Sequence, residues 1–473
     1  PHMQEMKDIR DQYDPNGGRA IGSREMLDSK VSEYGGEMLY INKSDTQPLW
    51  SMEYSRDEGL RKYWDEFTPP FHKNGAGPLY KGQDASDYNR NQDSHAIEDI
   101  IRWFDYWHER PGTGKRVSSG GVNIVFSDTN THYRGESNYR TSGEVDAMRI
   151  PKDGFFAHQT MWNGWVDPDP KGMHMIGHWN YKNGVIKDQY VVSAADKVQL
   201  FLNGKSLGYG KRDHHFLFTF PQVKWETGVL KAVGYDEKGT QISEASLVTA
   251  GNPKKIKLTL HQSPTGFKAD GADMVLVDVE VLDENGQRCP TALNPIDFTL
   301  SGAAEWRGGI AQGPNNYILS KILPVEGGIN RVIIRSTQKA GKIILKAQSE
   351  GLVSDEIQFN STPLLVKDGL AQVLPADGLK TNLSRGKTPE GKSYTVSREA
   401  LTIVNANAGI NSKEAKASYD NNELSSWSND GKLATAWITY NLAQKSRIDE
   451  VVFKINGFRT RQYPIKILVN DKV

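Results

Sequence analysis

The sequence predicts parallel β/α units over residues 1–171, followed by antiparallel β-sandwiches of immunoglobulin type over most of the rest. Three observations carry this. Short apolar runs alternate with amphipathic helical stretches in the first part. Near residue 172 the texture changes to short alternating strands. From there on, turns are marked by Asn-Gly and Asp-x-x-Gly signals, as in VQLFLNGKSLG and VLKAVGYDEKGTQI.

Taken in order, QEMKDIRDQY at 4–13 reads as a helix stopped by DPNGG. Strands follow at 19–21, 30–34 and Leu49–Tyr54, then an amphipathic stretch, RDEGLRKYWDEF, at 56–67. A long helix is expected at 93–109, with Ile97, Ile100, Ile101, Phe104 and Trp107 on its apolar side. VNIVF at 122–126 reads as a buried strand closed by Ser127-Asp128. Hairpins are expected at 198–208 and 229–242, and MVLVDVEVLDENGQ at 274–287 is the clearest strand and turn of a second sandwich. A linker near 363–375 leads to a last β segment at 435–442, 448–455 and 463–469.

Composition narrows the function classes. Lys+Arg and Asp+Glu are both 58, so no basic footprint argues for nucleic acid. Cys289 is the one cysteine, which excludes an internal disulfide framework and a cysteine-based zinc site. No apolar run reaches the roughly 18 residues of a membrane span. Pro1-His2-Met3 reads like a cloning remnant, and no signal peptide follows it.

Order and motifs together resemble glycoside hydrolase family 2, the β-galactosidase group. QPLWSMEYSRDEGLRKYWDEF at 47–67 is similar to the family's seventh barrel strand and the helix after it, where a Glu-Tyr pair carries the nucleophile. HWNYKNGVIKDQYVVSAADKVQLFLNGKSLG at 178–208 resembles the immunoglobulin-like domain that follows the barrel, and residues 254–361 the next sandwich. AKASYDNNELSSWSNDGKLATAWITYNLAQKSRIDEVVFKI at 415–455 is similar to discoidin-like (coagulation factor type C) modules. The resemblance implies a fold of four parts. These are the C-terminal half of a (β/α)8 TIM barrel over 1–171, immunoglobulin-like β-sandwiches over 172–252 and 253–362, and a partial discoidin-like β-sandwich over 363–473.

What the resemblance implies for activity is a retaining exo-acting β-glycosidase, first a β-galactosidase, with β-glucuronidase and β-mannosidase as further specificities. A non-catalytic carbohydrate-binding or scaffold role is the other class. The parent protein is expected in the periplasm or outside the cell, and no cofactor is required. The family's acid/base glutamate lies on an Asn-Glu pair before the region that Gln4 opens, and the sole Asn-Glu pair here is Asn422-Glu423. The chain alone is therefore expected to be weakly active or inactive. Half a barrel also leaves open strand edges, so self-association or completion by another polypeptide is expected.

Residue by residue, Glu53 suits a nucleophile: apolar residues precede it, and Ser55-Arg56 begin the loop and helix beyond. The alternative is an ordinary strand-end carboxylate. Glu33 in VSEYGGE repeats the Glu-Tyr pair but reads as a wall or structural residue. Tyr54 is placed at the substrate, and Tyr34 in barrel packing. Asp128, Asn130, His132 and Arg134 lie in a polar loop suited to sugar hydroxyls, or to plain surface. His158, Trp162 and Trp165 suit either a sugar platform or domain-junction packing. His174 and His178 have i, i+4 spacing, but Gly177 argues against a helical metal pair. Around Asp420, residues 420–423 offer oxygen ligands for a structural calcium, or form an ordinary turn beside Trp427. Arg459 and Arg461 suit acidic or sugar contacts, or plain solvation.

Overall fold

The computed structural model describes residues 2–14, 19–23, 31, 33–37, 49–54, 67–69, 71, 92–109, 118–123, 125–129, 141–165, 171–312, 315–373, 400–420, 425–451, 453, 455 and 463–469. It falls into two compact units, Pro1–Ser397 and Arg398–Val473.

The first unit opens with helix α1 (His2–Tyr13) and four strands, β1 (Gly22–Ser23), β2 (Tyr34–Glu37), β3 (Leu49–Tyr54) and β4 (Ser118–Asn123). They form one sheet in the order β1-β2-β3-β4, and every pairing is parallel. Parallel neighbours need crossovers, and helix α2 (Gln92–Glu109) lies in the connection from β3 to β4. Helix α3 (Asp153–Trp165) follows β4 and packs on α2. Ala96, Ile100 and Trp103 of α2 and Ala157 and Met161 of α3 share a buried cluster. Of the expected apolar stripe, Ile100 lies in it, Ile97, Ile101 and Phe104 pack on it partly buried, and the Trp107 side chain lies outside the described residues.

That cluster continues into Ile176, Val192, Phe216 and Leu217, so the helices rest directly on the first sandwich. Its strands are β5 (Met173–Ile176), β6 (Ile186–Ser193), β7 (Lys197–Leu202), β8 (Lys205–Tyr209), β9 (Lys211–Asp213), β10 (Leu217–Lys224), β11 (Val229–Tyr235) and β12 (Gln241–Val248). One sheet runs β5-β6-β10-β9 and the other β12-β11-β7-β8. The β7–β8 turn places Asn203 at φ 51° and Gly204 at φ 81°, the two left-handed residues that a tight hairpin requires. Val191, Val198, Leu200, Phe218 and Leu230 fill the space between the sheets.

A second two-sheet block spans residues 255–363, with five strands in each sheet. Strand Met274–Leu282 lies between Lys255–His261 and Ile329–Ser336, antiparallel to both. In Ile329–Ser336 alternate residues are buried, the period-2 pattern of a strand with one face in the core. Val277, Val279, Ile296, Phe298, Val332 and Leu345 build that core.

The second unit pairs Ile403–Ala408 with Ile438–Leu442, antiparallel. Trp427 Nε1 donates to Ile410 O at 2.9 Å.

Several boundaries differ from expectation. The strands expected at 19–21 and 30–34 appear as Gly22–Ser23 and Tyr34–Glu37, because pairing begins where Ile21 O accepts the Glu33 N–H at 2.8 Å. The strand expected at 122–126 is Ser118–Asn123, and from Val125 the backbone bonds to Ser142, Glu144 and Val145 instead. The β segments expected at 448–455 and 463–469 form no strand among the described residues. The helical stretch expected at 56–67 lies outside the described residues apart from Phe67. No helix among the described residues is long and apolar enough to cross a membrane.

Candidate active site

Glu53 is the penultimate residue of β3, at its C-terminal end, in the third position of a four-stranded parallel sheet. This is where ligands gather in open and closed parallel sheets, because loops diverge there and strand backbones are rigid. Its neighbour Tyr54 pairs in register with Asn123, the last residue of β4. Asn123 Nδ2 donates to Glu144 Oε1, so the end of β4 is tied to the loop before α3.

Glu144 is buried and stands 2.9 Å from His158 Nδ1, Oε2 to nitrogen. On α2, one turn apart, His95 Nδ1 lies 3.3 Å from Asp99 Oδ2, and both residues are fully buried. Trp103 meets the His158 ring edge-on at 5.5 Å and fixes its orientation. Burial works to raise Glu144, but the charges of His158 and His95 hold its carboxyl below its ordinary value. Burial likewise works against the His158 cation, and the carboxylates of Glu144 and Asp99 prevail, lifting it to about 9.

Gly154 explains how these groups come so close. A Cβ there would stand 2.8 Å from Asp99 Oδ2 and 3.0 Å from Glu144 Oε2. The first turn of α3 thus leaves room for two carboxylates, and its amide dipoles face negative charge.

Asp128 lies past β4 and is engaged from within the protein. Its Oδ1 accepts from Lys152 Nζ at 2.8 Å and from the Gly143 N–H at 2.9 Å. Lys152 is fully buried and also donates to Thr141 O at 2.9 Å. Burial pushes the Asp128 carboxyl up to about 7, against the pull of Lys152. Asp128 therefore ties the chain just past β4 to Gly143 and Lys152.

The remaining expected residues separate. Glu33 accepts two hydrogen bonds from Arg10, at 2.9 and 3.1 Å, and one from the Ile21 N–H at 2.7 Å. The Arg10 guanidinium and the Ile21 amide hold it down to about 2, which is a structural tie and not a poised nucleophile. Tyr34 pairs with Gly22, whose missing side chain leaves room for the tyrosine ring. His174 Nε2 bonds Asp153 Oδ1 at 2.8 Å, whereas His178 Nε2 meets Thr68 Oγ1 at 2.9 Å, so the two rings serve different partners. Trp162 is exposed. Asn130, His132 and Arg134 lie outside the described residues, as do 421–424, Arg459 and Arg461. Asp420 Oδ2 accepts from Ser425 Oγ at 2.7 Å.

His95, Asp99, Glu144 and Lys152 were not singled out by the sequence reading. The i, i+4 spacing of His95 and Asp99 was the visible signal. Glu144 and Lys152 belong to a loop whose partners are distant in the chain.

Comparison with known proteins covers most of the chain. The family model described as glycoside hydrolase family 2 C-terminal domain 5 matches residues 258–358. A second, described as a domain of unknown function (DUF4982), matches residues 184–243. A β-glucuronidase of Formosa agariphila is 35% identical over 389 residues, 79% of this chain and 37% of that protein. The chain belongs to glycoside hydrolase family 2.

The β-galactosidase BoGH2A of Bacteroides ovatus is 36% identical over 47% of this chain and 26% of its own length. A solved family 2 β-glucuronidase superposes with a TM-score of 0.68 at 31% identity, covering 85% of this chain and 41% of that one. A family 2 member from Bacteroides cellulosilyticus, at 20% identity and a TM-score of 0.55, shares the fold. The chain spans 37% of the length of the Formosa relative and 26% of the Bacteroides ovatus one.

Proposed function

We propose that this chain is the C-terminal portion of a retaining, exo-acting β-glycosidase in which Glu53 is the nucleophile. The observation that carries the proposal is the place of Glu53 at the C-terminal end of β3, within a parallel sheet of a family 2 chain. On this reading β1–β4 with their helices are the second half of a (β/α)8 barrel. The blocks at 173–248 and 255–363 are immunoglobulin-like domains, and Arg398–Val473 belongs to a discoidin-like module.

Retaining hydrolysis uses two carboxyl groups about 5 Å apart. The first attacks the anomeric carbon as the leaving oxygen is protonated by the second. Water then releases the sugar from the glycosyl-enzyme. Glu53 takes the first role. Its backbone lies within a paired strand, and Tyr54 beside it is the proposed sugar contact. The second carboxyl belongs, by the family pattern, to an Asn-Glu pair, and the sole such pair in this chain is Asn422-Glu423. Leaving-group protonation contributes about 10²–10⁴-fold, so the chain by itself acts best on activated aryl glycosides.

For the sugar, β-glucuronides come first and β-galactosides second, because the relative matching 79% of the chain is named a β-glucuronidase and the β-galactosidase matches 47%. The parent works in the periplasm or outside the cell, as its resemblance to exported polysaccharide-degrading enzymes suggests. The experiment is hydrolysis of dinitrophenyl β-glucuronide and β-galactoside by the chain and by Glu53→Gln. Turnover by the chain that disappears in Glu53→Gln supports the nucleophile. Equal turnover by both removes it.

A further inference from the structure

We propose that Asp99, Glu144 and His158 form a binding site for one transition-metal dication of the zinc class. The site locks α2, α3 and the intervening loop together behind the strand ends.

The three side chains reach one place from three parts of the fold: α2, the loop before α3, and α3 itself. One carboxylate oxygen from each acid and one ring nitrogen of His158 lie within 4.8 Å of one another. Asp99 and Glu144 are buried, and a buried carboxylate is costly unless it is paired or coordinates a cation. An ion bound among the three donors would replace the His158 proton and bring two positive charges to the pair.

The His158–Glu144 contact has the character of neighbouring ligands. Nδ1 and Oε2 are 2.9 Å apart, yet Glu144 Oε2 accepts no aligned hydrogen bond. Donor atoms that share an ion at about 2.0–2.2 Å stand roughly 3 Å apart with no donor–acceptor alignment. The other Glu144 oxygen is held by Asn123 Nδ2, an outer hydrogen bond of the kind that orients a ligating carboxylate. His95 Nδ1, 3.3 Å from Asp99 Oδ2, borders the site from the same helix.

Gly154 is the second, independent observation. Asp99 Oδ2, Glu144 Oε2 and His95 Nδ1 all face the spot its Cβ would occupy, at 2.8, 3.0 and 3.4 Å. The backbone thus keeps clear the space around which the donors gather. Imidazole with carboxylates selects zinc, manganese, iron or nickel over calcium and magnesium, which prefer oxygen alone.

The test is metal binding by the full chain after chelator stripping, with Zn²⁺ as the probe and Co²⁺ as the spectroscopic stand-in. The expected results are one tight equivalent of Zn²⁺, a raised thermal midpoint, and visible Co²⁺ bands of a low-coordinate site. Glu144→Gln and His158→Gln should lose that equivalent, whereas His174→Gln should keep it. If a variant fails to fold, the Co²⁺ spectrum and stoichiometry of the unaltered chain decide. No tight equivalent, or one that survives both substitutions, overturns the site and leaves an imidazolium–carboxylate network in its place.

Discussion

Arg331, in the second sandwich, donates Nη1 to the carbonyl oxygen of Arg149 at 3.0 Å, across 182 positions of sequence. The same nitrogen reaches Met148 O at 3.2 Å, and Asp278 holds the guanidinium from behind with two further hydrogen bonds. Arg149 needs such support: it sits at φ 65°, a left-handed conformation that a side chain resists, in the turn closed by Asp146. This turn joins Glu144 to Lys152, so the second sandwich braces the loop behind the candidate active site.

Arg331→Ala should therefore loosen a part of the protein far from the substitution. Two carbonyls lose a charged donor and Asp278 loses its partner, a cost of about 2–4 kcal/mol. Hydrogen exchange should accelerate at residues 146–150, with the sandwich core around Val332 still protected. Unchanged exchange in that turn would show that the brace carries no load.

Gly154→Ala places a methyl group 2.8 Å from Asp99 Oδ2, inside a buried charged cluster. The expected loss is about 1–3 kcal/mol, read as a lowered urea midpoint with an unchanged slope. At an open helical position the same change would be stabilising, so the sign of the shift is the result to read.

Glu33 gives an acid-sensitive tie at the start of the chain. Its carboxyl falls from an ordinary 4.5 to about 2, first through Arg10 and then through the Ile21 amide. A depressed carboxyl contributes stability that is present above its unfolded value and is lost as pH falls towards the folded one. Protection of the Ile21 amide against exchange, relative to its intrinsic rate, should fall between about pH 4.5 and 2, and Glu33→Gln should remove that step.

His178 works in a higher pH window. Burial, followed by the Lys187 charge, holds its imidazole well below the ordinary 6.5. The neutral ring accepts from the Asn180 N–H at Nδ1, 3.0 Å away, and donates from Nε2 to Thr68. The unfolded chain takes up a proton below about pH 6.5 and the folded chain does not, so stability should fall as pH drops through that range. Denaturation midpoints of the chain and of His178→Gln should converge at low pH.

Much of this architecture was legible beforehand because local patterns and tertiary packing agree. The Leu49–Tyr54 strand, the helix around Ile97–Ile101 and the Asn203-Gly204 turn each follow from periodicity or backbone preference alone. The end of β4 was not legible. VNIVF reads as a strand by composition, but Val125 and Phe126 bond to the chain around Ser142–Val145, which sequence spacing cannot reveal. The same holds for the buried acid–histidine cluster, since Glu144 and His158 are polar residues whose burial depends on α2 packing over them. Asp128 was visible as a polar strand-end residue, and its engagement by Lys152 was not.

Glu53 is proposed to attack the anomeric carbon of the sugar. The most direct measurement is intact and peptide mass after incubation with a 2-deoxy-2-fluoro β-glycoside bearing a dinitrophenyl leaving group, in the glucuronide and galactoside forms. Such a reagent needs no protonation of its leaving group, so it reports the nucleophile independently of the acid/base residue. One covalent sugar on the peptide that contains Glu53, absent from Glu53→Gln, is the predicted result. A label on another carboxylate, or an equal label on Glu53→Gln, would contradict it.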